Sequence, residues 1–466
     1  MIELTPRLDE TKADPLYIQL YDYIREEIQA GRIVAGTRLP SKRKLANHLR
    51  ISLNTIDAAY QQLSAEGYID ALPRKGFFAR EIDEGSIIPQ TADQGLIGIK
   101  KPEKRIYRYD FSHSEIDLDH FPYSTWRRLM DECIRPEHKE LLKIGDPQGE
   151  WELRCEISKY LYQSRGVKCL PDQIVIGAGS QNTMGLLGRL LCRTCVYAIE
   201  DPGYIRIRPV LESLGAEIKD IPLDKEGLTV SILEQTDVKI TYVTPSHQFP
   251  TGTIMPIGRR LQLLNWSEEK EDRYIIEDDY DSEFRYKGKP IPALKSLESG
   301  ENVIYMGTFS KALLPSLRMS YIVLPERLLN FYEQNKHHYK QAVSRIEQRA
   351  VQLFMERGHW EKHLNKMRNV YKKKQEALLS ALEKCMEGQY EVIGENSGLH
   401  ILLKVNNGMS EKELIESAKE QSVKVYPTSI YYSTAEPPES IVLLGFAGLS
   451  EKDIKAAIHL LAETWF

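Results

Sequence analysis

The stretch "NVIYMGTFSKALLPSLRMSYIVLP", residues 302–325, decides the fold. Two short apolar runs of strand length flank a polar turn that carries Ser310, Lys311 and Arg318. Four similar runs come earlier: "QIVIGAG", "VYAIED", "KITYVTPS" and "RYIIEDDY". Amphipathic stretches such as "SQNTMGLLGRLL" and "IRIRPVLESLG" separate them. This alternation predicts an α/β body with a largely parallel, buried sheet. Ligands of such sheets sit beyond the carboxyl ends of the strands.

The unusual residues of the body fall at those ends. "IGAGSQNT" places Ser180 and Gln181 at a strand-to-helix switch, where backbone amides can cradle a phosphate. "IEDPGY" sets Tyr204 just past a strand, placed to stack on a flat ring. "IIEDDYDSEF" brings acids to another strand end. One of them can hold a pyridinium nitrogen protonated, or the group can bind Mg²⁺. Ser310 and Arg318 suit a second grip on phosphate, and Lys311 suits a Schiff base with an aldehyde. Together these are the parts that hold pyridoxal 5′-phosphate.

The first eighty residues read differently. Leu16, Leu20, Ile24 and Ile28 recur every four residues after Pro15, and Gly31 stops the pattern. A short helix follows Ser41, and another starts at Ser52 or Asn54, with Ile56, Ala59, Tyr60 and Leu63 on its core side. "YIDALPRKGFFAR" then predicts a hairpin with a basic tip. Three helices and a basic hairpin make a winged helix-turn-helix. Residues 38–80 hold eight Lys or Arg against three acids, although the chain as a whole carries a net charge of −5. A basic module on an acidic body fits phosphate-backbone binding. The expected contacts to double-stranded operator DNA are Ser41, Lys42, Arg43, Ser52, Asn54, Thr55, Arg74, Lys75 and Gly76.

The 466 residues suggest more than one domain. Residues 81–106 are polar and aperiodic, a connector between a head at 1–80 and a body at 107–466. No apolar run approaches a membrane span, and the N-terminus lacks a signal-peptide core, so a cytoplasmic protein is expected. Cys192 and Cys195 form a lone C-x-x-C and read as ordinary buried cysteines. The adjacent His337 and His338 read as a solvated helix face, and no metal site is expected.

The pattern "PLYIQLYDYIREEI…LPSKRKLA…S.NT…AYQQL" resembles the GntR-type DNA-binding domain, with Leu53 where many members have Arg. The stretches "TPSHQFP.GTIMP", "YIIEDDYDSEF" and "NVIYMGTFSK.LLP.LR.SY" resemble fold-type I, class I aminotransferases. The order of head, linker and body is that of the MocR family of bacterial transcription regulators, in particular its GABA-responsive type. That resemblance implies that Lys311 carries the cofactor as an internal aldimine, Asp278 pairs with the pyridine nitrogen and Tyr280 bonds the ring hydroxyl. It implies that Tyr204 covers the ring, and that Ser180, Gln181, Ser310 and Arg318 hold the phosphate. It also implies a homodimer, head-to-tail. Aminotransferases commonly place Asn before the Pro of N-P-x-G; Phe249 stands there, leaving His247 or Gln248 for the ring oxygen.

Many class I members also carry a late Arg in a strand reading L-R-L-G-F, where this chain has Leu443. The GABA-responsive type has Arg where this chain has Ile430, which leaves Arg206 to anchor an effector carboxylate. The expectation is a regulator that senses a small amine or amino-acid-like effector by exchange at Lys311. Three other readings stay open: a sensor of the cofactor itself that controls vitamin B6 synthesis, an active aminotransferase with an autoregulatory head, and a dimerisation scaffold without cofactor.

Overall fold

The computed structural model describes residues 4–9, 11, 14–81, 106–191, 195–286, 288 and 291–466. The chain divides into two compact units, Met1–Lys104 and Arg105–Phe466. Apart from its first and last residues, the connector expected over 81–106 lies outside the described residues.

The first unit holds α1 (Leu16–Gln29), α2 (Lys42–Leu49), α3 (Leu53–Ala65), β1 (Ile69–Leu72) and β2 (Gly76–Ala79). Leu20, Ile24 and Ile28 of α1 are buried together with Ile56, Ala59, Tyr60 and Leu63 of α3. Each of the Leu and Ile side chains contributes about 1.5–3 kcal/mol on burial. Ser41 caps α2 by accepting from Lys44 N at 3.3 Å. Ser52, rather than Asn54, caps α3 by accepting from Thr55 N at 3.1 Å. The antiparallel β1–β2 hairpin runs from the Ile69–Ala79 pair to the Leu72–Gly76 pair, with Pro73, Arg74 and Lys75 at its tip.

The second unit begins with β3 (Tyr109–Asp110), α4 (Tyr123–Cys133), α5 (Trp151–Arg165), β4 (Ile174–Gly177), α6 (Ser180–Leu191), β5 (Val196–Asp201) and α7 (Arg208–Ser213). It continues with β6 (Glu217–Asp224), β7 (Gly227–Leu228), α8 (Val230–Leu233), β8 (Ile240–Val243), α9 (Ile257–Glu268), β9 (Tyr274–Asp279), β10 (Val303–Thr308) and β11 (Ser320–Val323). After α10 (Glu326–Asn335), α11 (Arg345–Glu356) and α12 (His359–Cys385) comes a smaller layer. It comprises β12 (Tyr390–Ile393), β13 (His400–Val405), α13 (Glu411–Glu420), β14 (Val423–Lys424), β15 (Tyr426–Pro427), β16 (Ile441–Gly445) and α14 (Glu451–Trp465).

The large sheet has the order β4-β11-β10-β9-β8-β5-β6-β7. Strands β10, β9, β8, β5 and β6 are parallel. The "MSYIVLP" run departs from the parallel pattern, as does the edge strand β7: β11 is antiparallel to both β10 and β4, and β7 to β6. Its first residue, Ser320, therefore pairs with Thr308, the last of β10, and with Gly177, the last of β4. This brings Arg318 to the carboxyl edge, where the parallel strands also end. The smaller sheet, β12-β13-β16-β15, is antiparallel.

Cys195 is buried and disulfide-bonded, which corrects the reading of it as an ordinary buried cysteine; a lone C-x-x-C is compatible with either the thiol or the disulfide. Cys192 lies outside the described residues. His337 and His338 are exposed, in a short 3₁₀ turn.

A buried ion pair ties a helix to the central strand. Arg165, the last residue of α5, donates from Nε to Asp279 Oδ2 at 2.7 Å and from Nη2 to Ser246 Oγ at 2.7 Å. Removing one partner of a buried pair leaves the other charge uncompensated. Arg165→Met is expected to cost about 3–5 kcal/mol in chemical denaturation, and adding Asp279→Leu to recover much of that loss.

Candidate functional site: a lysine-bearing cavity and a basic wing

Strand β9 ends in Glu277, Asp278 and Asp279, all buried. Strand alternation turns Glu277 and Asp279 to one face and Asp278 to the other. Glu277 accepts from the backbone N–H groups of Leu294 and Lys295 at 2.7 and 2.9 Å. Asp279 accepts from Arg165 and from Tyr305 Oη, the latter at 2.5 Å. Asp278 faces a cavity, and its carboxylate accepts from the Tyr242 hydroxyl. Burial, with the neighbouring acids Asp279 and Asp281, pushes its pKa up to about 7. A positively charged nitrogen placed against it would offset that burial.

The cavity, of about 200 Å³, opens at the carboxyl edge. The loop after β10 supplies Ser310 and Lys311 to it, α6 supplies Ser180, and the segment after β5 supplies Tyr204 and Arg206. Tyr280, just past β9, and Arg318, just before β11, complete the set of expected residues that it gathers. The Lys311 amine donates to the His113 carbonyl. Burial draws its pKa down to about 8, so a larger share of it is neutral and nucleophilic near physiological pH than of an ordinary lysine.

One corner of the cavity is shaped for an anion. Gly179 has φ +87° and stands directly before α6. A Cβ there would fall 2.3 Å from the Arg318 guanidinium, so glycine lets the cation close over the helix start. Ser180, Ser310 and Thr308 line the same cavity, with Thr308 Oγ1 donating to Ser310 Oγ at 3.1 Å. An anion cradle, a buried carboxylate, a nucleophilic lysine and the aromatic walls Tyr204 and Phe249 fit pyridoxal 5′-phosphate.

Some expected residues lie elsewhere. Gln181 does not line the cavity; it is exposed, and its amide donates to the Arg206 carbonyl at 3.4 Å. Ile430 is also absent from the lining and is half exposed, although its neighbour Tyr431 packs on Phe249. Leu443 is fully buried in an apolar cluster with Phe249, Leu402, Tyr431 and Ile441. Gln248 spends its amide on Glu200, the Pro202 and Phe249 carbonyls and Thr251. His247 stands behind Tyr280, whose hydroxyl lies 3.0 Å from His247 Nδ1.

Sequence reasoning missed several lining residues: His113, Ser114, Tyr242, Thr244, Thr308, Pro315 and His400. Tyr242 and Thr244 sit at the end of "ITYVT", the same strand-end signal that marked the others. His113 and His400 arrive from distant segments and carry no local signal.

In the head, Arg43, Asn54, Arg74 and Lys75 are exposed, and Thr55 is half-buried. Ser41 and Ser52 spend their hydroxyls on helix caps. Lys42 is ion-paired with Asp57 and lies 4.9 Å above the Phe77 ring, so part of its charge is already countered. Gly76, at φ +108°, allows Arg38 to approach; a Cβ there would meet Arg38 Nε at 3.3 Å. Arg38 thus adds an exposed cation beside the wing that the expected contact set lacked.

The depressed lysine has a consequence for the cofactor-free chain. The folded state releases the Lys311 proton near pH 8, whereas the unfolded state holds it to about 10.5. Stability therefore rises with pH across that window. Lys311→Met is expected to stabilise the cofactor-free protein below pH 8. The advantage should fade as pH rises from 8 toward 10.5, as read by thermal unfolding across pH.

Comparison with known proteins agrees with this division. Residues 110–461 match the family described as aminotransferase class I and II, and residues 16–79 match bacterial regulatory proteins of the gntR family. The uncharacterized HTH-type transcriptional regulator YdeL of Bacillus subtilis is 45% identical over 464 residues, covering 100% of both chains. The probable rhizopine catabolism regulatory protein MocR of Rhizobium meliloti is 32% identical, over 97% of this chain and 94% of its own. A kynurenine aminotransferase structure from Pyrococcus horikoshii, in complex with PMP, superposes with a TM-score of 0.69 at 28% identity. It covers 78% of this chain and 91% of its own. No helix among the described residues is long and apolar enough to cross a membrane. A GntR-type head, which in its family binds DNA, is thus joined to a body whose cofactor is pyridoxal 5′-phosphate, and the chain belongs to the MocR family of transcriptional regulators.

Proposed function

We propose that this regulator senses a small amino compound through Lys311 and converts the binding into altered affinity for an operator. In this reading Asp278 holds the cofactor's ring nitrogen and Tyr280 its ring oxygen, while Tyr204 covers the ring. Ser180, Ser310 and Arg318 hold the phosphate. Bound pyridoxal phosphate supplies an electrophilic carbon that an amine can attack. Lys311 Nζ would be the protein amine that holds that carbon, and a small amine would compete with it for the same position, leaving the lysine free and the local charge changed. A difference in affinity between two conformations of the body then shifts the population of DNA-binding states.

The observation that carries the reading is Leu443. An aminotransferase of ordinary amino acids grips the substrate carboxylate with cations, and at this position the chain buries an aliphatic side chain in an apolar cluster. Apart from Lys311 and Arg318, Arg206 is the cation among the described lining residues. It supports one carboxylate, and losing a bidentate partner costs about 1.5–3 kcal/mol. That favours recognition over sustained turnover. A head-to-tail homodimer would present two heads to two half-sites.

Titrating the cofactor-loaded protein with a panel of amines tests this. The expected result is a saturable change of the visible band without keto-acid release, with operator affinity changing over the same concentration range. Sustained keto-acid formation would identify an enzyme. Operator affinity that answers to cofactor alone, with no amine effect, would identify a cofactor sensor. Arg206→Ala is expected to weaken a carboxylate-bearing effector at least tenfold and leave a simple alkylamine unchanged. At the head, Arg74→Ala and Lys75→Ala should each weaken operator binding at low salt and flatten the log–log salt dependence by about 1.

A further inference from the structure

Behind Tyr280 lies a pair of buried side chains that the cavity chemistry does not use directly. His247 Nδ1 is 3.0 Å from both carboxylate oxygens of Asp281 and 3.0 Å from the Tyr280 hydroxyl. His247 is 2% exposed and Asp281 is 1% exposed. The imidazole is wedged between two glycines: a Cβ on Gly398 would fall 1.9 Å from its Cε1, and one on Gly252 would fall 3.2 Å from its Nε2. The ring therefore has one position. Nε2 is buried with no hydrogen-bond partner, so a proton there would have no acceptor.

We infer that Asp281 and His247 are positioning residues that make Tyr280 a hydrogen-bond donor into the cofactor cavity. The Asp281 carboxylate can only accept, so it requires the proton on His247 Nδ1. A protonated Nδ1 cannot accept from Tyr280; the phenol oxygen instead receives a share of that N–H. The Tyr280 proton is then left to point into the cavity, which the residue lines. Without the Asp281 charge, Nδ1 is free to become the acceptor, and the Tyr280 proton turns back toward His247. The inference rests on the cofactor occupying this cavity, with its ring oxygen toward Tyr280.

A donor to an anionic oxygen favours the deprotonated form and lowers the pH at which the bound cofactor's visible band changes. Other groups also face this site. Asp278, Asp281, Glu200 and Asp279 lie around Tyr280, and Lys311, Arg206, Arg318, His113 and His400 line the cavity. They stay in place in each variant below except Asp281, so comparison between backgrounds isolates the relay.

The test is a pH titration of the visible band in holoprotein loaded with pyridoxal 5′-phosphate. Asp281→Asn and Tyr280→Phe should each raise the midpoint by about one unit, a tenfold change in proton affinity. In the Tyr280→Phe background, Asp281→Asn should add little, because the donor it orients is gone. His247→Asn, whose amide can donate from the Nδ1 position, should keep the wild-type midpoint, whereas His247→Leu should raise it. An equal shift from Asp281→Asn with and without Tyr280 would overturn the inference, since it would then report only lost charge. If Asp281→Asn does not fold, the two His247 variants decide the matter, and equal midpoints for them would overturn it. A wild-type protein with no visible band would overturn the cofactor premise as well, and that failure shows before any variant is made.

Discussion

Three consecutive carboxylates buried at the end of one strand govern this body. Glu277, Asp278 and Asp279 cannot all be charged in an apolar sheet unless each has its own partner. The pleat of β9 separates them. Glu277 is met by two backbone amides, and Asp279 by Arg165 and Tyr305. Asp278 is left facing the cavity with one phenol for company. The two structural acids hold the strand end in place, and the third faces the cavity, where a cationic ring nitrogen would offset the burial of its carboxylate. The site is a by-product of solving a burial problem, and its position follows from the strand's alternation.

The same economy appears at the phosphate corner. A strand that runs antiparallel to its neighbours begins at the edge where they end. Here β11 starts beside the ends of β4 and β10. Arg318 therefore meets the start of α6 across Gly179, where no larger residue leaves room for a guanidinium. Lys311, seven residues earlier, lies in the same crossing loop. A strand reversal thus brings the covalent anchor and the anion clamp to one cavity.

In the proposed reading, an apolar side chain at position 443 is what favours recognition over turnover. Leu443 is not an exposed remnant; it is packed among Phe249, Leu402, Tyr431 and Ile441. Reintroducing a cation there would bury a charge without a partner.

Much of this was legible in the chain alone. Hydrophobic periodicity separated a helical head from an α/β body, because a helix and a buried strand repeat with different periods. Strand ends marked Ser180, Tyr204, Ser310, Lys311, Arg318 and an acidic run from which the family resemblance picked out Asp278, because parallel sheets gather their loops at one edge, and all of these residues line one cavity. Local signals failed where a residue's role depends on what lies across from it. Gln181 sits in the right motif but faces the Arg206 carbonyl. Lys42 belongs to a basic cluster but is paired with Asp57. Ile430 falls in the expected segment but outside the lining. His113 and His400 come from segments nearly three hundred residues apart, and the Asp281–His247–Tyr280 array joins two loops. Sequence determined which chemistries were present and on which kind of element, since these follow from local pattern. Only the tertiary structure decided which polar group each buried side chain must satisfy, because that depends on atoms brought together from distant parts of the chain.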